Sequence, residues 1–299
     1  MPADPVVSRL VTIAIDSALP FDTSSIPLEF VGSETLHEEA DIVATDGMRG
    51  TIDHNKERTR EGLKKVSGSI KVPCSRIVLD ALLPYITGGN EATNIFPLEQ
   101  TLQEFVMMVD RGAKVYTYSG CRIARASFNA TQGQILMLDL DIEAETETTG
   151  DAGTFPSLTF PTEKPYIMKD GVLTLLGSTR EFSEFNLTIN NVLDTERYEN
   201  ALTRYTIPIT DRTITLATNH PWSTDHTDLE KQALDGAAGT AVFTNAAVSG
   251  DVLTFAMAAV QYKNRTVTSQ GQPTMRYPLE GDVRSSGSTA PLIITNAHS

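Results

Sequence analysis

The chain has 299 residues, enough for one large or two ordinary domains and for a core that needs no staples. No run approaches the roughly 18 apolar residues of a membrane-spanning helix, and 21% charged against 40% hydrophobic residues sets wholesale disorder aside. Lys+Arg 24 against Asp+Glu 38 gives a net charge of −14, which repels phosphate backbones on average and argues against a sequence-reading DNA binder.

The N-terminal stretch MPADPVVSRLVTIAID has no basic segment followed by a long apolar one, so no secretory signal is expected. Period-two alternation, the mark of half-buried antiparallel strands, then dominates. Val11, Ile13 and Ile15 share one face, and Val66, Ile70 and Val72 face away from Ser67, Ser69 and Lys71. The alternation recurs at Phe185, Leu187 and Ile189, at Tyr205, Ile207 and Ile209, and from Leu253 through Phe255 and Met257 to Ala259. Two helices are predicted. Ser75 can cap one around 76–84, stopped by Pro84 and the Gly88-Gly89 pair, and a Thr227-x-x-Glu230 capping box starts another around 228–235.

These elements predict a mainly β fold, an antiparallel sandwich or barrel-like unit with short flanking helices, duplicated in the chain. Residues 1–150 form the first unit, with an extended loop around 46–65. The Thr-, Gly- and Pro-rich stretch 151–165 is a connection, 166–283 the second unit, and 284–299 a flexible C-terminal arm. The duplication rests on Gly133 to Leu138 resembling the stretch from Gly250, 117 residues on, and on the strands at Val66 and Phe185, 119 apart. Leu292, Ile293 and Ile294 in the arm are expected to add to a sheet, either a neighbouring subunit's or the chain's own.

Spacings that chemistry demands are missing: there is no phosphate-cradling loop, nucleophile elbow, zinc helix or dinucleotide fingerprint. His226 among Asp225, Thr227 and Asp228 reads as a helix cap, and Cys74 and Cys121 as free core thiols. No enzyme activity, cofactor or metal is expected. Two charged features remain. Asp139, Asp141, Glu143, Glu145 and Glu147 alternate with apolar residues, which predicts one acidic strand face: a solvent face, the lining of an aqueous lumen, or a calcium site. Lys56, Arg58, Arg60, Lys64 and Lys65 form a basic patch, either a solvated hairpin loop or a loop reaching an acidic surface on a neighbouring copy.

The ordered set of Asp46-Gly47-Met48-Arg49-Gly50, the basic stretch, Val66-Ser-Gly-Ser-Ile70, the short helix, Tyr118-Ser-Gly-Cys-Arg-Ile123 and Gly133-Gln-Ile-Leu-Met-Leu138 resembles the tail tube proteins of long-tailed bacteriophages. The resemblance covers residues 40 to 145 well and the C-terminal half more loosely. It implies a non-catalytic virion subunit, assembled in the host cytoplasm into stacked rings that form a hollow tube. DNA passes through the lumen without specific binding, and no membrane is involved. Implied partners are the protein itself, as a trimer of duplicated units or a hexamer per ring, with tail tip, tape measure and tail terminator proteins. The alternative is a carbohydrate- or protein-binding β-sandwich module; Trp222, the one Trp, reads as a core or interface anchor before a binding platform.

Overall fold

The computed structural model describes residues 11–45, 47, 50, 52–54, 56–151, 153–224, 228–229, 236–264 and 275–298. A first set of elements comprises β1 (Thr12–Asp16), β2 (Ile26–Leu28), β3 (His37–Ala44), β4 (Thr59–Pro73), α1 (Arg76–Thr87), β5 (Ile95–Phe96), β6 (Phe105–Asp110), β7 (Lys114–Thr131), β8 (Met137–Ala144) and β9 (Thr146–Asp151). A second comprises β10 (Gly171–Leu175), β11 (Ser178–Arg180), β12 (Glu184–Leu193), β13 (Ile209–Pro221), β14 (Ala237–Thr244), β15 (Val252–Asn264), β16 (Arg276–Arg284) and β17 (Leu292–Ala297).

The fold is mainly β and antiparallel, as expected, but the strands join one network that does not close into a barrel. Its spine runs β3–β4–β8–β7–β12–β13–β16–β15. The chain of β2, β1 and β6 attaches to the N-terminal half of β7, with β9 on the opposite edge. The chain of β11, β10 and β14 attaches to β15 in the same way, with β17 opposite. Every pairing within the first set thus has a counterpart in the second. The irregularities recur too: Phe105↔Cys121 shifting to Met107↔Tyr118 is matched by Ala237↔Val260 shifting to Gly239↔Met257. The shift at Ile123/Arg125 in β7 is matched at Tyr262/Asn264 in β15.

This correspondence corrects the residue offsets read from the sequence. Gly133 lies in the turn before β8, whereas Gly250 precedes β15, whose pairings are those of β7. Val66 lies in β4 and Phe185 in β12, but the counterpart of β4 is β13. Short amphipathic strands resemble one another whatever their neighbours, so alternation alone aligned the wrong pairs.

Two ladders cross between the sets: β12 on β7, from Glu184↔Thr131 to Asn190↔Arg125, and β17 on β5. The β12–β7 seam places Phe128 of the first set edge-on to Phe255 at 4.9 Å, and Phe185 edge-on to Phe243 at 5.3 Å, all four fully buried. The two sets therefore share one core.

Two glycines of the quoted motifs have steric causes. A Cβ on Gly68 would lie 2.5 Å from the backbone of Leu36, which crosses directly over β4. Gly120 has φ +64 and sits where β7 turns from one ladder to the other, and a Cβ there would land inside the Glu145 carboxyl.

Other expectations need correction. The helix does not stop at Pro84 but continues to Thr87 and ends at Gly88 in the left-handed conformation. Burial of Leu83 and Ile86 outweighs the hydrogen bond that Pro84 cannot make. Ser75 makes no side-chain cap; Glu163, from the connecting stretch, accepts the Ile77 N–H at 3.0 Å instead. The loop around 46–65 is a β-ribbon for much of its length, because β4 already begins at Thr59 and pairs with β3. The arm 284–299 is not free: β17 pairs with β15 and β5, which buries Leu292 and Ile294 completely in the chain's own sheet, with Ile293 partly covered. The helix around 228–235 falls almost wholly outside the described residues, as do Asp225, His226 and Thr227.

Phe255→Ala is expected to lower unfolding free energy by about 3–5 kcal/mol through loss of the shared core, and Gly68→Ala to destabilise through the Leu36 clash. Urea midpoints would measure both, with Phe160→Ala, at an exposed position, as the near-neutral reference.

Candidate assembly surfaces

On β8, Leu138, Leu140, Ile142 and Ala144 point into the core while Asp139, Asp141 and Glu143 point outward, as alternation predicts. The acidic series then divides. The Glu145 N–H donates to the Ser119 carbonyl at 3.0 Å, and the chain steps into β9, which pairs with the other half of β7. Glu147 there accepts the Glu38 N–H at 2.9 Å. The five carboxylates therefore belong to two ladders.

Each of the first three has a cationic neighbour. Lys71 approaches Asp139 at 3.3 Å, and Asn129 donates to the same carboxylate at 2.7 Å. Arg125 lies 3.5 Å from Asp141 across the β7–β8 ladder. Arg204 donates to Glu143 at 2.6 Å and to the Val66 and Ala144 carbonyls, its own side chain buried. The face is not a bare negative stripe. It is a mixed polar surface whose acids are partly neutralised, at modest energy where the pairs are exposed.

That surface continues across the spine. Register places Lys71, Asp139, Ser127, Thr188, Thr215, Asp282 and Gln261 in one row, each opposite the next on the neighbouring strand. The Ser127 hydroxyl bonds Asn186 and Thr188, both at 3.0 Å, across the seam. A wall of short Ser, Thr and Asn side chains with scattered acids thus spans both strand sets. The alternation at Phe185, Leu187 and Ile189 implied a polar opposite face, but not that it would align with the face of β8.

The basic residues also divide. Lys64 sits in β4 and bonds Glu61 at 2.8 Å and Glu38 at 3.3 Å; these contacts, Glu61 foremost, raise its pKa. Lys65 approaches Glu196 at 3.7 Å. Lys56 and Arg58 lie in a 3-10 turn and Arg60 is the second residue of β4, all three exposed at the end of the β3–β4 ribbon. The same ribbon exposes Ile42 (76%), Val43 (59%) and, in its connection, Ile52 (97%). A two-stranded ribbon exposed on both faces gains little from its own burial.

Sequence reading missed β3, whose HEEADIVA has no clean alternation, and also Arg204, which lies in an irregular connection without a motif. Arg122, buried in β7, bonds Glu104 and, at 3.2 Å, Thr206. Glu145 lies near Glu104 and Arg122; burial raises its pKa first, then the Glu104 charge. Trp222 is half-buried, edge-to-face with Tyr277 at 5.1 Å. Cys74 and Cys121 are free and buried, and burial pushes both thiols up. Among the described residues, no group of three or more His, Cys, Asp or Glu could hold a metal ion, and no helix is long and apolar enough to cross a membrane.

Residues 13–283 match the sequence model of a family described as phage tail tube protein. No curated relative matches the chain.

A carboxyl whose folded pKa is raised destabilises the fold when ionised, and the penalty vanishes below the unfolded value. Glu145→Gln is therefore expected to raise the melting temperature at pH 7, with the gain shrinking as pH falls through the raised folded value and gone below the unperturbed glutamate value of 4.5. Thermal scans of both proteins across that range would measure it.

Proposed function

The chain belongs to the phage tail tube protein family, and from that premise we propose that it closes into rings as a trimer, each copy supplying two tube units, and that the rings stack into a hollow tube for DNA. Membership in the family places the protein in the virion tail and gives it a structural role with itself as partner. The observation that carries the finer reading is the polar wall running unbroken from β4 to β15 across both strand sets. Among the described residues its short hydroxyl and amide side chains form no cationic cluster that would hold phosphates. Lys71 and Arg125 stand singly beside carboxylates. A passing polyanion meets weak net repulsion screened within about 8 Å at physiological salt, so it slides instead of adsorbing.

The one-to-one recurrence of pairings and bulges supports two equivalent tube units per chain. Three chains then present six units around a pseudo-sixfold ring, and closure pairs edges that would otherwise stay open. Tail tip, tape measure and tail terminator proteins are the proposed neighbours at the tube's ends and in its bore, and assembly is proposed to occur in the host cytoplasm. No catalytic step enters this function.

Negative-stain images with a light-scattering mass test it. Discs with a central hole and three copies each are expected; six copies per disc would refute the two-unit ring. Asp139→Lys with Asp141→Lys should leave rings assembling while slowing DNA release from particles. Failure of those variants to assemble would place this face at an interface instead of a lumen. Glu143 is left intact because Arg204 depends on it.

A further inference from the structure

Arginines drawn toward the interior of this fold meet a carboxylate there. Arg76 pairs with Glu163, Arg111 with Glu34, Arg122 with Glu104, Arg180 with Asp228 and Arg204 with Glu143. Arg212, half-buried in β13, does not. Its Nε donates to Asn191 Oδ1 at 2.7 Å and its Nη2 to the Thr87 carbonyl at 3.3 Å, so among the described residues it is held by neutral acceptors only. Burial lowers its pKa, with only the Glu99 charge opposing, whereas at Arg76 and Arg111 the same burial is outweighed by Glu163 and Glu34 and the pKa rises. A guanidinium taken partly from water without an anion is an unmet charge.

The group is also fixed in place. Asn191, 1% exposed, donates its amide to the Ile86 carbonyl at 3.2 Å and the Ile123 carbonyl at 3.1 Å, which leaves its oxygen aimed at Arg212. The end of α1, β7 and β12 together therefore set the direction of the fork. The last carbonyls of α1 favour a cation, and with Asn191 they account for Nε and Nη2. Nη1 remains: among the described residues it makes no hydrogen bond, and it is not sealed from solvent.

Arg212 lines a cavity of about 480 Å³, within the range of small-molecule sites. Its other walls are the apolar side chains of Leu98, Ile209, Ile214, Val283, Ala290 and Pro291. Glu99 and Asp211 stand exposed among them, and Asp211 accepts the Arg212 backbone N–H at 2.8 Å. Two acids beside one cation disfavour a multiply charged anion such as phosphate. A single carboxylate suits the edge formed by Nη1 and the second hydrogen of Nη2, whose spacing matches its two oxygens, and the walls suit an aliphatic body.

We propose that this cavity binds a monocarboxylate with a branched aliphatic body, its oxygens on the Nη1–Nη2 edge of Arg212 and its alkyl group against Leu98, Ile214 and Val283. Two sources present that chemistry: a polypeptide ending in leucine, isoleucine or valine, and a free aliphatic amino acid whose ammonium faces Asp211 or Glu99. The site goes beyond the ring reading and does not rest on it.

Calorimetric titration of the full chain with N-acetyl-L-leucine, L-leucine and N-acetyl-L-leucinamide tests it. N-acetyl-L-leucine is expected to bind as a single molecule per chain with a Kd of about 1 mM, the range open to so small a ligand. It should bind about tenfold tighter than its amide, which lacks the carboxylate. Tighter binding of N-acetyl-L-leucine than of L-leucine assigns the site to a polypeptide end, and the reverse order assigns it to the free amino acid. Arg212→Gln should abolish the preference for acid over amide. Ala290→Trp, at an exposed position on the rim, should block all three probes without shifting the melting temperature, which separates loss of the site from loss of the fold. Equal binding of acid and amide, an unchanged preference in Arg212→Gln, full binding in Ala290→Trp, or no binding of any probe at about 20 mM would each overturn the site.

Discussion

The antiparallel ladder between β7 and β12 is the constraint on which the rest of the structure depends. β7 is long because it serves two ladders, bending at Gly120, and only its C-terminal half is free to accept β12. That pairing splices two sets of strands with the same internal connectivity into one spine. It also brings Phe128 against the aromatic cluster of the second set. Without it each set would carry an open edge and half a core, an arrangement prone to unwanted pairing.

Once the spine is continuous, period-two alternation makes its two faces chemically distinct along the whole length. The inner face is Ile, Leu, Phe and Val. The outer face is Ser, Thr, Asn and isolated charges held in pairs. A surface of that kind neither binds a polyanion tightly nor excludes water. Polar groups at the seam satisfy one another, so the face continues without a break in its hydrogen bonding where the two sets meet.

The two strand sets, alike in their pairings, differ in their connections. The β12–β13 connection folds down onto its own chain and is anchored by buried Arg204, while the β3–β4 ribbon stands out with its apolar and basic side chains exposed. The same topology in two contexts thus yields one connection packed on its own chain and one ribbon exposed at its end. Arg111 steadies the exposed ribbon from below: it holds Glu34, at 2.8 Å, and the Leu36 carbonyl just before β3 begins.

The sequence by itself determined the fold class, the apolar and polar faces of β4, β8, β12 and β15, and the start of α1, because these are local consequences of side-chain period and backbone freedom. It also carried the family resemblance in Gly68 and Gly120, although why glycine is required there appears only when Leu36 and Glu145 are seen against them. The tertiary structure alone decided which strands are counterparts, that the C-terminal strand stays in its own chain, that α1 runs past Pro84, and that the acidic series divides at Glu145. The physical reason is common to all four. Partner choice among amphipathic strands, burial that overrides a lost hydrogen bond, and the neutralisation of a carboxylate by a distant arginine depend on contacts between residues far apart in sequence, to which local periodicity is blind.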